Sequence, residues 1–255
     1  MSIYFRSDVI FLERLLPQNS LIPGTYSAAF RLLDICNNMT GVLFAGILLP
    51  LFAKHIVQKD PLSPLVRTAV NLLLPISLFA AIVVQIWGTD IMHYLYKNIK
   101  ENDIIVLKIL MWSFPLYCLN YVYSTLLTAN NSIKLLIGIT TIALIVNILG
   151  NSILIPKFLP EAGIIAASIA LLTQLLTASL NIRYCYKLFK FEPNPGWFLK
   201  IIIYILCLMG VGNAINQFIS INFIPQILML SLVAICLFFG TRLVAINSIK
   251  NLLKK

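Results

Sequence analysis

The chain has 255 residues, of which 60% are hydrophobic and only 11% charged, with a formal net charge of +10 and a mean hydropathy of +0.92. Ordinary soluble domains carry about 25% charged residues, and a water-soluble globule of this size has no core able to hide so much apolar surface. The same figures exclude a disordered chain and a disulfide scaffold. Apolar runs near the roughly 18 residues that cross a bilayer point to an all-α, polytopic membrane protein.

Eight helices are predicted, over about 2–16, 24–55, 64–87, 101–129, 132–155, 162–190, 197–217 and 222–248. A short amphipathic segment at 89–98 is expected to lie at the interface. The first helix carries Arg6, Asp8, Glu13 and Arg14 and stops before Pro17; those charges spoil a cleavable signal-type core and argue that it does not face lipid. Pro75 in the third helix and Pro115 in the fourth each remove a backbone hydrogen bond and favour a kink. Gly163, Ala166, Ala167 and Ser168 open the sixth helix with small residues that permit close helix approach.

The loops alternate in charge. Lys54, Lys59 and Arg67, then Lys134, then Arg183, Lys187, Lys190 and Lys200, then Arg242, Lys250, Lys254 and Lys255 fall on one side. The other side holds Lys97, Lys100 and Lys157 among Glu101, Asp103 and Glu161. Cations collect in cytoplasmic loops, so eight spans with both ends cytoplasmic are expected. The basic excess then reflects topology; no nucleic-acid motif or basic groove accompanies it.

Polar residues inside the spans are the candidates for function. In the second helix Ser27, Arg31, Asp34, Asn38 and Gly41 follow at intervals of 4, 3, 4 and 3, which places them on one face, and Arg31 and Asp34 are spaced to pair. This stripe reads either as an interhelical structural pair or as the wall of a polar cavity. In the fourth helix Ser113, Tyr117, Asn120, Ser124 and Thr128 repeat the pattern without charge. Ordinary interhelical hydrogen bonding explains them, although tyrosine also suits sugar contact. Lys108 is placed to snorkel.

Catalytic and metal-binding arrangements are not legible. Cys36, Cys118, Cys185, Cys207 and Cys236 form no paired motif, and His55 and His93 lie apart, so neither a metal site nor a nucleophilic triad is read. Asp90, Glu101 and Asp103 cluster near an outer loop but are interleaved with Lys97 and Lys100, which reads as solvated surface rather than a glycosyltransferase or polymerase centre. No enzymatic activity and no cofactor are expected.

Two stretches carry a resemblance. Residues 3–56, IYFRSDVIFLERLLPQNSLIPGTYSAAFRLLDICNNMTGVLFAGILLPLFAKHI, hold an aspartate in one helix, then Gly24-x-Tyr26-x-Ala28-Ala29 with Arg31, then Leu49-Pro50-Leu51 ahead of a basic loop. Residues 147–170, NILGNSILIPKFLPEAGIIAASIA, end one helix in Asn and Ile-Pro and start the next with Gly and Ala. In this order they resemble the polysaccharide flippase family, the Wzx-like transporters of the superfamily that also holds MurJ and the MATE exporters.

The resemblance covers the chain and matches one lobe plus the two trailing helices of that fold. It implies a C-terminal-lobe-like six-helix bundle over 1–190 and a trailing helix pair with a basic cytoplasmic tail over 191–255. It also implies the bacterial cytoplasmic (inner) membrane, and translocation of undecaprenyl-diphosphate-linked oligosaccharide for polysaccharide or O-antigen synthesis. Members have two lobes, so the resemblance implies a fragment or split half that works with a separate N-terminal lobe or as a homodimer among membrane lipids. By position, Arg6 and Arg31 would meet the pyrophosphate, and Asp8 and Asp34 would partner them or couple an ion. Asn38, Tyr117 and Asn120 would meet sugar. The alternatives are a MATE-like cation-coupled exporter half, which acidic and aromatic cavity groups would favour, and a nonfunctional truncated remnant.

Overall fold

In the computed structural model, which describes residues 2–17, 20–97, 99–192, 195–219 and 222–240, the chain is all-helical. The helices are α1 (Ser2–Leu15), α2 (Ile22–Gln58), α3 (Ser63–Leu95), α4 (Glu101–Met111), α5 (Ser113–Ala129), α6 (Ile133–Leu154), α7 (Ala162–Phe189), α8 (Pro195–Phe218) and α9 (Phe223–Gly240). Single turns of 3-10 helix at Ile155–Lys157 and Leu159–Glu161 join α6 to α7.

Six segments are long and apolar enough to cross a membrane, with α4 and α5 counted together, and α2 makes a seventh if its two halves form one bent span. α2 bends by 40° between Ile22–Gly41 and Gly46–Gln58. α1 is described over 14 residues, a rise of about 21 Å at 1.5 Å per residue, and is not among those segments.

Two expectations change. The segment at 89–98 is no separate interfacial helix, because α3 runs unbroken to Leu95. Gly88, just past the predicted end of the third helix, is a close-approach position: a β-carbon there would sit 3.3 Å from the half-buried Lys108 side chain. The predicted fourth helix is instead interrupted at Trp112. Pro115 has no N–H to give the carbonyl of Met111, four residues back, and the chain re-starts as α5.

Local chemistry sets the other boundaries. Pro23 and Pro64 occupy the first turns of α2 and α3, where a missing N–H costs nothing. Asp103 accepts the Lys100 amide at 3.0 Å and caps α4. Asn131 takes a left-handed φ of 57° between α5 and α6, a conformation asparagine tolerates.

The inner layer is α2, α3, α4, α5 and α7, with Trp87, Tyr26, Phe52, Leu107 and Leu110 fully buried among them. Small residues allow the tight crossings. Ala162, Ala166 and Ala167 of α7 are buried, and a β-carbon on Gly163 would lie 3.3 Å from Ile22 and Val106. The outer faces of α6, α8 and α9 display Ile137, Ile145, Ile153, Leu199, Leu206, Leu228 and Leu232, as lipid contact requires.

The trailing pair is fastened to α3. The Trp87 indole N–H donates to Gln226 Oε1, and Gln226 Nε2 donates to the Ile219 carbonyl at 2.6 Å. The Trp197 indole donates to Asn71 Oδ1, and the Tyr204 hydroxyl to the Pro75 carbonyl at 3.4 Å. Such bonds between membrane helices average about 0.6 kcal/mol, so their role is to fix register as much as to add stability.

α2 meets α5 most closely at Gly41, where a β-carbon would come within 2.9 Å of the Tyr121 ring and hydroxyl. Gly41→Val is expected to lower thermal stability in detergent by about 1–3 kcal/mol, the usual overpacking cost. Combining it with Tyr121→Ala should recover part of that loss, and Gly46→Ala, which has open space at its β-carbon, should be neutral.

Candidate functional site: a buried carboxylate beside a polar cleft

Asp8 lies on the inward face of α1, 3% exposed. Its Oδ1 accepts Asn147 Nδ2 at 3.0 Å and Asn151 Nδ2 at 2.7 Å, and its Oδ2 accepts the Tyr26 hydroxyl at 3.2 Å. Ser7 Oγ donates to Asn147 Oδ1 at 3.0 Å, and Asn151 Nδ2 also reaches that oxygen at 3.1 Å. Asn147 and Asn151, 2% and 0% exposed, stand four apart on one face of α6. The carboxylate thus ties α1 to α2 and α6.

The electrostatics of this cluster are one-sided. A buried carboxylate is costly without a compensating charge. Among the described residues no cation pairs with Asp8, whose contacts are the neutral amides and phenol. Asn151 Oδ1 is buried without a hydrogen-bond partner. One carboxylate, an orphaned amide oxygen and two nearby hydroxyls fit a proton or a small monovalent cation, since amides can turn either end inward. Among the described residues no group of three or more His, Cys, Asp or Glu is placed to hold a metal ion.

A second polar group lies between α5 and α7. Asn120 Nδ2 donates to Gln174 Oε1 and Asn181 Nδ2 donates to Asn120 Oδ1, both at 3.0 Å. These side chains, with Tyr117, Tyr121, Ser124 and Thr177, line a cleft of about 50 Å³ whose α6 side is formed by Leu136, Thr140 and Ala143. Tyr26, which bonds to Asp8, and Tyr117, which lines the cleft, are both buried in the same core.

The sequence candidates separate into groups. Asp8 is buried in its own network, and Tyr117 and Asn120 meet at the cleft. Arg31 and Asn38 lie on the exposed side of α2 beside Ile35 and Met39, whereas Asp34 is half-buried and turns toward Tyr121. The stripe is thus divided between an open face and the α5 contact. Among the described residues no ion pair joins Arg31 to Asp34, which corrects the pairing that their spacing allowed. Ser27 Oγ is spent on the Pro23 carbonyl at 2.7 Å. Glu13 and Arg14 are exposed, and the side chain of Arg6 lies outside the described residues.

Sequence reasoning did not single out Asn147, Asn151, Gln174, Asn181 or Tyr26 as site residues. The four-residue spacing of Asn147 and Asn151 was a usable signal, because two amides on one face of a membrane helix need partners.

No family model matches the chain, and no curated protein matches it.

Asn151→Leu removes the 2.7 Å donor from Asp8 and should cost about 1–3 kcal/mol or more, as for a buried charged group deprived of a partner. Asp8→Asn keeps shape and hydrogen bonding and should unfold closer to the unaltered protein. Thermal unfolding of the purified chain compares them.

Proposed function

We propose that this chain is half of a polysaccharide-flippase-like transporter that moves a lipid-linked oligosaccharide across a bacterial cytoplasmic membrane, coupled to a proton or monovalent cation at Asp8. The observation that carries this reading is a buried carboxylate that no cation pairs with among the described residues, in a bundle that also holds a polar cleft lined by Tyr117 and Asn120. Intramembrane ionisable groups mark ion and substrate pathways more often than they serve packing alone.

The roles follow from chemistry. Hydroxyls and amides of Tyr117, Asn120, Gln174 and Asn181 suit a sugar, whose own hydroxyls both donate and accept. Arg31, free of Asp34 and exposed, suits a pyrophosphate through charge-assisted bonds. Loading Asp8 neutralises the charge among α1, α2 and α6 and favours one packing of these helices over another, which is the differential contact that coupling requires.

The open side of α2 carries Arg31 and Asn38 among the exposed Ile35 and Met39, and its cation is costly against hydrocarbon. It is the surface where a second lobe or a second copy would close the translocation path. The account describes a transporter and not an enzyme. A MATE-like exporter half would use the same Asp8 chemistry, but the Arg31 cation favours an anionic cargo.

Proteoliposomes holding this chain with its co-expressed partner test the reading, using an undecaprenyl-diphosphate-linked oligosaccharide and lectin access as the readout. Arg31→Ala should slow translocation about tenfold, the loss of one charge-assisted contact of ~1.4 kcal/mol, with membrane abundance unchanged. Asp8→Asn should remove the dependence on a proton or sodium gradient. Wild-type gradient dependence in Asp8→Asn would leave Asp8 a structural residue.

A further inference from the structure

A second cleft, remote in sequence from the Asp8 network, opens where α3 and α8 begin and α7 ends. Its enclosed space is about 50 Å³, the rest being open to solvent, and it holds two unlike poles. On the α3 side stand Ser63 and, one turn later on the same face, Arg67. The first turn of α3 has no side-chain cap, so the Ser63 amide N–H and the positive end of the helix dipole add to the guanidinium. On the opposite side, just past α7, stands Glu192.

Both charges are exposed, and among the described residues neither has an ion-pair partner. They share the cleft without neutralising one another.

Aromatic rings line the space near Glu192. Phe191 meets Tyr186 edge-on at 5.7 Å, and Trp197 is held in place by its indole bond to Asn71. Aromatic faces attract an ammonium group, and Glu192 supplies a carboxylate for its N–H donors. Ser63 and Arg67 offer donors to a phosphate. The cleft lies at helix ends, where tyrosine and tryptophan mark the membrane–water boundary, and Phe198, Leu199 and Ile202 beside it are exposed, giving the acyl chains an apolar surface.

We infer that this cleft is a binding site for the headgroup of a zwitterionic aminophospholipid, with phosphate at Ser63 and Arg67 and the primary ammonium at Glu192 among Tyr186, Phe191 and Trp197. An anionic glycerol headgroup would use only the Arg67 pole and be repelled by Glu192. A quaternary choline headgroup would keep the rings but have no N–H to give the carboxylate.

The test uses the full chain in detergent, titrated separately with phosphatidylethanolamine, phosphatidylglycerol and phosphatidylcholine, with bound lipid counted by native mass spectrometry. Phosphatidylethanolamine should bind about fivefold more tightly than either competitor, as one exposed charge contact allows. Arg67→Gln should weaken all three. Glu192→Gln should reverse the order in favour of phosphatidylglycerol, a swap that general loss of stability does not produce. Equal binding of the three lipids, or an order unchanged by Glu192→Gln, would overturn the inference.

Discussion

The Asp8 carboxylate governs this structure. In hydrocarbon every polar group must be satisfied by the protein itself, and this one recruits Tyr26 from α2 and Asn147 and Asn151 from α6. Most of the polar side chains of α1 would be unwelcome against lipid, and the network anchors the helix inside the bundle. Among the described residues the partners of the carboxylate are neutral, which is why a cation or proton suits it.

The same constraint orders the rest of the molecule. α6, α8 and α9 give their outer faces to apolar residues and reserve the few buried polar ones for specific bonds, such as Gln226 to Trp87. The amides of α5 and α7 bond to each other across the cleft. Four buried polar atoms among the described residues have no hydrogen-bond partner: Asn151 Oδ1 beside Asp8, Asn181 Oδ1 at the cleft, Asn37 Oδ1 on α2 and Ser113 Oγ at the start of α5.

Helix number and order were legible in the sequence because apolar runs of membrane length are strong signals. Boundaries were less legible. α3 runs on past residue 87 because Gly88 allows close packing against Lys108, and near Pro115 the span Glu101–Ala129 has a one-residue break at Trp112. Asp8 stood out as a charge in an apolar run, yet its two amide partners sit 139 and 143 positions away, and no periodicity links them. The Arg31–Asp34 spacing was real while the ion pair was not, because spacing fixes a helix face and not the direction of two long side chains. The Asn120 and Tyr117 positions were readable from their face, but Gln174 and Asn181, which complete the cleft, lie on the sixth predicted helix beyond its small-residue start and form no pattern of their own.

The most direct measurement of the central claim is infrared difference spectroscopy on the purified chain, comparing low with high pH and sodium with potassium, in the unaltered protein and in Asp8→Asn. The account predicts a carboxyl signal that changes with proton or sodium occupancy and disappears in Asp8→Asn. A spectrum without any such Asp8-dependent change would mean that the carboxylate is fixed in one state, and that the network holds α1 in place without coupling to an ion.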